Sequence, residues 1–312
     1  MVGAPEEDSR STQINGDQED NSWNQIGAAY VFKRTNKTWT QQAYLKSSRL
    51  PPQPGYSLNF GTAIAMNSDG NQIAVGSIWG QTNSVPGGIV HIFEYENDAW
   101  IEKHMLSASN VESSDQFGKQ IEMSADGDTI AIGAPDEDSA NNDQPDNSKW
   151  SAGATYIYKK SNNVWSQTAY LKASTPTEES YFGSNISLSG NGMTLAVGVQ
   201  SESSTGENNQ HSSSLSRSGA VYIFKLINED WKQVQLIKTE NKEQSDVFGM
   251  SVSLNHNGKI LAVGAPGEDG GDSGFNGDQS SNEVDSAGAA YIFISESNNF
   301  SQKTYIKSKN AV

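Results

Sequence analysis

The chain repeats itself, and the period of the repeat restricts its fold more than any single residue does. A short apolar run that ends in glycine recurs five times, and its glycines are separated by 73, 57, 65 and 66 residues. The runs end at Gly3, Gly76, Gly133, Gly198 and Gly264. Such a period indicates similar structural units that pack against their neighbours, as in solenoids and propellers.

Each complete unit contains four short segments of alternating or continuous apolar residues, which is the pattern of β-strands. We label these segments strands A to D. Strand A begins at a Phe-Gly pair, strand B is the apolar run, strand C is aromatic and strand D begins near a large aromatic residue. The Phe-Gly pairs lie at 60–61, 117–118, 182–183 and 248–249, and the aromatic residues of strand D are Trp39, Trp100, Trp165, Trp231 and Phe300.

Asp-Gly or Asn-Gly turns, such as Asp126-Gly127, join strands A and B and favour tight hairpins. Each unit is therefore predicted to be a four-stranded antiparallel sheet. Because both faces of strands B and C are apolar, neighbouring sheets must cover each other. The predicted fold class is all-β, a β-propeller built from four-stranded antiparallel blades. A row of separate small sandwiches is the alternative, which so few strands per unit disfavour.

Five repeats are visible, at approximately 1–59, 60–116, 117–181, 182–247 and 248–312, and the first lacks its innermost strand. We expect one β-propeller domain over 1–312. With four A strands and five each of B, C and D, two interpretations stay open. The chain is a fragment of a longer propeller, or it is a five-bladed ring with one deficient blade.

Composition restricts the classes of function. The chain has 37 acidic and 21 basic side chains and a formal net charge of −16. This charge argues against nucleic-acid binding, which requires a basic surface, and favours attraction of cations. There is no cysteine, so disulfides are excluded, and no signal peptide is visible. No apolar run is long enough to span a membrane.

These motifs resemble the FG-GAP repeat, the blade unit of the integrin α-subunit propeller and of many bacterial surface proteins. The resemblance covers essentially the whole chain, and the long loops are most similar to the bacterial branch. It implies a non-catalytic extracellular or cell-surface module for binding or adhesion. Integrin-type repeats also carry a calcium loop between strands A and B with the pattern D-x-D-x-D-G-x-x-D. The hairpins here are shorter and lack the first and last ligand positions, so we do not expect that calcium site.

The long B–C loops concentrate acidic residues with glycines, which supplies the oxygen ligands that calcium prefers. The candidate metal ligands are Asp8, Asp17 and Asp20 in the first repeat, Asp138, Asp143 and Asp146 in the third, and Asp269, Asp272 and Asp278 in the fifth. Calcium is therefore the candidate cofactor. The alternative is that these are solvated loops whose carboxylates form local turns.

Three tryptophans lie outside the repeated positions, in the B–C loops. They are Trp23, Trp79 and Trp150. Loop aromatics are common anchors of ligands, so these are the candidate ligand-binding residues. No catalytic motif is recognisable: the four histidines do not form a metal-ligand pair, and there is no nucleophile elbow or phosphate loop.

We therefore predict a binding or adhesion module whose protein or carbohydrate ligand meets the face that carries the long acidic loops. Two alternatives from other classes remain. One is a polysaccharide-acting hydrolase or lyase, which would need acids that converge with a basic or aromatic partner in one pocket. The other is a structural spacer in a large surface protein.

Overall fold

The computed structural model describes residues 1–141, 146–204, 215–270, 273–296 and 299–309. These residues form 20 β-strands and no α-helix, one strand more than the repeat pattern predicts. The fold is all-β and its sheets are antiparallel blades of the propeller type. None of the described segments contains a helix long and apolar enough to cross a membrane.

The strands follow the predicted order A to D along the chain. The A strands are β4 (Phe60–Met66), β8 (Gln120–Met123), β12 (Asn185–Leu188) and β16 (Ser251–Leu254). The B strands are β1 (Val2–Ala4), β5 (Gln72–Ser77), β9 (Thr129–Ala134), β13 (Thr194–Val199) and β17 (Ile260–Ala265). The C strands are β2 (Ala28–Thr35), β6 (Ile89–Glu96), β10 (Ala154–Ser161), β14 (Ala220–Ile227) and β19 (Ala289–Glu296). The D strands are β3 (Thr38–Leu45), β7 (Ala99–Leu106), β11 (Val164–Leu171), β15 (Asp230–Ile237) and β20 (Asn299–Lys307).

The sheet order confirms the four-stranded meander. The second, third and fourth repeats each form a sheet in the order A-B-C-D. The first repeat is the three-stranded sheet β1-β2-β3, which confirms that its innermost strand is missing. The additional strand is β18 (Gly274–Phe275), which lies in the B–C loop of the fifth repeat and pairs with β20.

Two compact units make up the chain. Unit 1 contains Met1–Glu137 and Tyr156–Thr168, and unit 2 contains Asp138–Thr155 and Ala169–Val312. In unit 1, residues of the first two sheets, such as Val31, Leu45 and Val75, share one buried core. In unit 2, the fourth and fifth sheets share a core that includes Val221 and Val263. Within each unit, neighbouring sheets therefore cover each other's apolar faces.

The two residues of the Phe-Gly pair make different contacts. The phenylalanine packs on a residue of its own sheet, and the glycine lies against the backbone of the preceding sheet. The ring of Phe60 meets the ring of Phe93 edge-on, with centroids 6.0 Å apart. Gly61 has φ +97°, and a Cβ there would lie 2.2 Å from the carbonyl oxygen of Ala28. A Cβ on Gly3 would lie 2.1 Å from the carbonyl oxygen of Gly61. Glycine is thus needed both in the Phe-Gly pair and in the apolar run of strand B, because the backbones of adjacent sheets approach each other closely at these positions.

Candidate functional site: the B–C loops

The B–C loops leave strand B at one end of the sheet. In several repeats, a glutamate near the start of the loop is hydrogen-bonded to side chains of the same repeat. In the first repeat, Glu7 accepts a hydrogen bond from the Tyr44 hydroxyl at 2.7 Å and from the Lys46 ammonium at 2.6 Å. The Lys46 ammonium also donates to the carbonyl oxygen of Ser9 at 2.7 Å. The glutamate and lysine therefore tie the start of the loop to the end of strand D.

The fifth repeat has a related arrangement, in which the lysine binds backbone carbonyls instead of the glutamate carboxylate. The Glu268 carboxylate accepts hydrogen bonds from Tyr305 at 2.9 Å and from Tyr291 at 3.1 Å. The Lys307 ammonium donates to the carbonyl oxygens of Glu268 and Asp269 at 3.0 and 2.6 Å. Burial raises the pKa of Glu268, and the tyrosine hydrogen bonds offset part of that rise. This glutamate is a buried structural anchor.

The third and fourth repeats use the corresponding glutamates in related ways. Glu202 accepts hydrogen bonds from the Ser204 backbone at 2.7 Å and the Tyr222 hydroxyl at 2.8 Å. Burial alone would raise the pKa of Glu202, but these hydrogen bonds bring it below its ordinary value. In the third repeat, the Asn110 amide donates to Glu137 at 3.2 Å.

The second repeat departs from this pattern. Its B–C loop follows Ser77 and has no glutamate, and Ser107 follows strand D where other repeats have lysine. Here His91 occupies the strand C position of the tyrosines, and its Nδ1 lies 2.6 Å from an Oε atom of Glu102. The contact made at this position is thus formed between strands C and D and does not involve the loop.

The aspartates next to the glutamates close the loops. In the third repeat, the Asp138 carboxylate accepts a hydrogen bond from the backbone N–H of Ser151 at 2.7 Å. In the first, Asp8 accepts one from Gln25 at 2.8 Å, and in the fifth, Asp269 accepts one from Ser286 at 2.6 Å. Each carboxylate bridges the start of its loop to the end.

The other described candidate ligands hold local turns. The Asp17 carboxylate accepts the N–H of Glu19 at 3.0 Å, and the Asp278 carboxylate accepts that of Ser280 at 2.9 Å. Asp20 accepts the N–H groups of Arg10 and Ser22, and Asp146 accepts those of Ala140 and Ser148. Two candidates, Asp143 and Asp272, lie outside the described residues.

A calcium site requires that several of these acids converge on one point. Within the described part of the chain, no three acidic or histidine side chains come together as metal ligands. Hard cations need six to eight oxygen ligands in one place. The described acids therefore do not assemble a calcium cage by themselves, and calcium binding at the loops stays a prediction from the sequence.

The three candidate tryptophans differ in exposure. Trp150 is 61% exposed, whereas Trp23 and Trp79 are half-buried. The repeated strand D position also varies, because Trp100 is 6% exposed and Trp39 is 63% exposed. A shared place in the repeat thus does not give each tryptophan the same environment.

Sequence reasoning missed two features. The first is a lysine at or just after the end of strand D in four repeats, at 46, 172, 238 and 307, which accompanies the loop glutamate. The second repeat lacks both the lysine and the glutamate, and this joint absence indicates that the two residues interact in the other repeats. The second is Phe275 on β18, which is 72% exposed. A two-residue strand inside a polar loop has no periodicity that could reveal it.

The family model described as FG-GAP repeat matches residues 100–158 and 231–293. No curated protein matches the chain. Among solved structures, the chain is similar to hydrazine synthase of Kuenenia stuttgartiensis, with 13% identity and a TM-score of 0.46. The match covers 88% of this chain and 58% of that one.

Proposed function

The chain carries FG-GAP repeats, and we propose that it is a non-catalytic binding module of an extracellular or cell-surface protein. FG-GAP repeats form propeller-type modules that often occur in adhesion and surface proteins. The ligand would bind at the B–C loops, where exposed aromatic side chains lie on backbone that is hydrogen-bonded on both sides. Because the chain has a net charge of −16, a neutral or basic protein or carbohydrate is the suitable class of ligand.

The observation that carries this proposal is the position of Trp150. Its side chain is 61% exposed, yet the backbone around it is tied down. The Lys149 N–H donates to the Asp138 carbonyl at 2.8 Å, and the Ser151 N–H donates to the Asp138 carboxylate at 2.7 Å. The Trp150 carbonyl accepts the N–H of Glu179 at 2.9 Å. An aromatic ring on an ordered loop loses little entropy when it binds, which is typical of an interface anchor.

Phe275 supports the same use of the loops in the fifth repeat. It is 72% exposed and pairs with Ile306 of β20. The next residue, Asn276, donates its N–H to the carbonyl of Tyr305 at 2.8 Å and accepts the Tyr305 N–H through its side chain at 2.9 Å. A large apolar side chain on a pinned loop is again favourable for binding and unfavourable for solubility.

The test is a binding screen with variants of the two exposed loop aromatics and a matched control. Purified chain is incubated with immobilised polysaccharides, such as cellulose and chitin, and with an array of purified surface proteins. Trp150→Ala and Phe275→Ala should weaken the observed binding about tenfold, as loss of an aromatic anchor does. Trp39→Ala is the matched control, because Trp39 is 63% exposed but lies on strand D.

Each other outcome contradicts the proposal in a defined way. If Trp39→Ala weakens binding as much as Trp150→Ala, the loops are not the binding site. Release of reducing ends or unsaturated sugars from the polysaccharides would favour the hydrolase or lyase. Binding to no probe would favour the structural spacer.

A further inference from the structure

Each compact unit has a cleft at the end of its sheets that carries the A–B hairpins. In unit 1, the cleft is about 270 Å³ and lies between the second and third repeats. The charged side chains that line it are Asp69, Glu94, Glu96, Asp126, Asp128 and Lys160. In unit 2, a cleft of about 400 Å³ lies between the fourth and fifth repeats. The B–C loops leave the opposite end of strand B, so these clefts are distinct from the loop site.

The two clefts are equivalent in the repeat but opposite in charge. Counted along strand C, Glu94 corresponds to Lys225, and both line their clefts. Counted along the hairpin, Asp128 corresponds to Lys259. No acidic side chain lines the described cleft of unit 2. The fold therefore does not require carboxylates at these positions, and the acidity belongs to the cleft of unit 1.

Internal cations neutralise only part of this acidity. Lys160 lies 2.5 Å from Glu94, and Lys103 lies 2.8 Å from Glu96. Among the described residues, neither Asp69 nor Asp128 forms a salt bridge. The Asp126 carboxylate accepts a hydrogen bond from the Ser124 hydroxyl. Burial would raise the pKa of Asp126, but hydrogen bonds from Ser124 and Asp128 lower it overall, so this carboxylate is ionised at neutral pH.

A buried amide gives the second, independent observation. Gln72 lines the cleft and is 5% exposed, and its amide nitrogen has no hydrogen-bond partner. A Cβ on Gly127 would lie 2.2 Å from the Gln72 amide oxygen, so the neighbouring hairpin packs against that oxygen. A buried donor without a partner destabilises the fold. The equivalent residue in unit 2 is the small Thr194. An acceptor from a ligand would satisfy the Gln72 donor.

We propose that the acidic cleft of unit 1 binds an arginine side chain of a partner protein. The guanidinium lies among Asp69, Asp126 and Asp128, and a backbone carbonyl of the same peptide segment accepts a hydrogen bond from Gln72. A guanidinium presents five donors spread over a plane, so its carboxylate partners need not converge on one point. A bare metal ion fits less well, because no three acids among the described residues come together as metal ligands. Anionic ligands are repelled by the lining charge.

The probe is a fluorescein-labelled peptide, Gly-Arg-Gly-Arg-Gly, whose binding is followed by fluorescence anisotropy. Its control replaces arginine by citrulline, which keeps the shape and removes the charge. The arginine peptide should bind, and the citrulline peptide should bind at least about tenfold more weakly. Equal binding of both peptides, or no binding of the arginine peptide, would overturn the proposal.

Protein variants locate the site. The double variant Asp126→Asn/Asp128→Asn should weaken binding about tenfold. The matched control is Glu229→Gln/Asp230→Asn, which removes two charges from a C–D hairpin of unit 2. If the control weakens binding equally, the peptide responds to net charge and not to the cleft, and the proposal fails.

Gln72→Met separates the binding role from a structural one. Methionine removes the unpaired donor at a similar volume, so the melting temperature should rise. Binding of the arginine peptide should weaken at the same time, by about fivefold. A more stable variant with unchanged affinity would exclude Gln72 from the site.

Discussion

The ammonium group of Lys46 lies 2.6 Å from the carboxylate of Glu7, and the two side chains are 0% and 12% exposed. This pair joins the residue after strand D to the start of the B–C loop. Burial lowers the pKa of Lys46, and the contact with Glu7 opposes that shift. The acid of the loop is thus used within the blade and is not free for a ligand.

Removal of one partner of this pair should be costly. Lys46→Met leaves the Glu7 carboxylate without its cation, and loss of one partner of a buried ion pair typically destabilises by about 3–5 kcal/mol. Urea unfolding measures the change. The double variant Lys46→Met/Glu7→Gln should recover a large part of the loss. A single variant as stable as the parent would show that the pair contributes nothing.

The tryptophans at one repeat position should differ in their effect on stability. Trp100 is 6% exposed, and truncation of a buried aromatic typically costs about 3–5 kcal/mol. Trp39 is 63% exposed, so Trp39→Ala should cost less than about 1 kcal/mol. Thermal unfolding of Trp100→Ala and Trp39→Ala gives the comparison. Equal losses would mean that repeat position, and not burial, determines the contribution.

Glu122 on β8 should make stability depend on pH. Burial raises its pKa from 4.5 to about 7. Between these two values the folded state binds more protons than the unfolded state, so the free energy of unfolding falls as pH rises through this window. Asp246, whose pKa burial also raises to about 7, contributes a fall of the same sign that begins at lower pH.

The variant Glu122→Gln should therefore flatten the fall in stability between about pH 4.5 and 7 without removing it. Urea unfolding at several pH values provides the measurement. Glu229→Gln is the control, because it removes an exposed carboxylate, and it should retain the slope of the parent. An unchanged slope in Glu122→Gln would show that this carboxyl ionises normally in the folded state.

Calcium binding at the loops is predicted from the sequence and can be measured directly. A ligand that binds only the folded state raises the melting temperature, and a chelator reverses the rise. Calorimetric titration of the parent beside Asp17→Ala and Asp278→Ala locates the metal. Absence of both heat and thermal shift in the parent would favour solvated acidic loops. Binding that survives both substitutions would place the metal elsewhere.

Strand order and sheet composition were predictable because their causes are local. Alternation of apolar residues and Asp-Gly turns specify a hairpin without reference to distant residues. The strand order A to D and the three-stranded first sheet follow in this way. The short strand β18 was not predictable, since it forms only where Gly274 and Phe275 meet β20.

The role of the loop acids was not predictable because carboxylates have several possible partners. The sequence places Glu268 and Asp269 in an acidic loop, which is equally consistent with a metal site or a structural anchor. Only the packed structure brings Tyr305 and Lys307 to them, from 37 or more residues away along the chain. The partners of these two acids therefore depend on which residues lie close in the folded structure, and not on which residues lie close in the sequence.

By itself, then, the sequence determined the repeat and the strand order, because these depend on periodicity and on residues close in the chain. The tertiary structure decided which side chains are free to act. It placed Glu7 against Lys46, a lysine that the sequence did not single out, and it left the candidate Trp150 exposed. It also gave the two hairpin clefts opposite charge, since a cleft is formed by residues from adjacent repeats that the chain order keeps far apart.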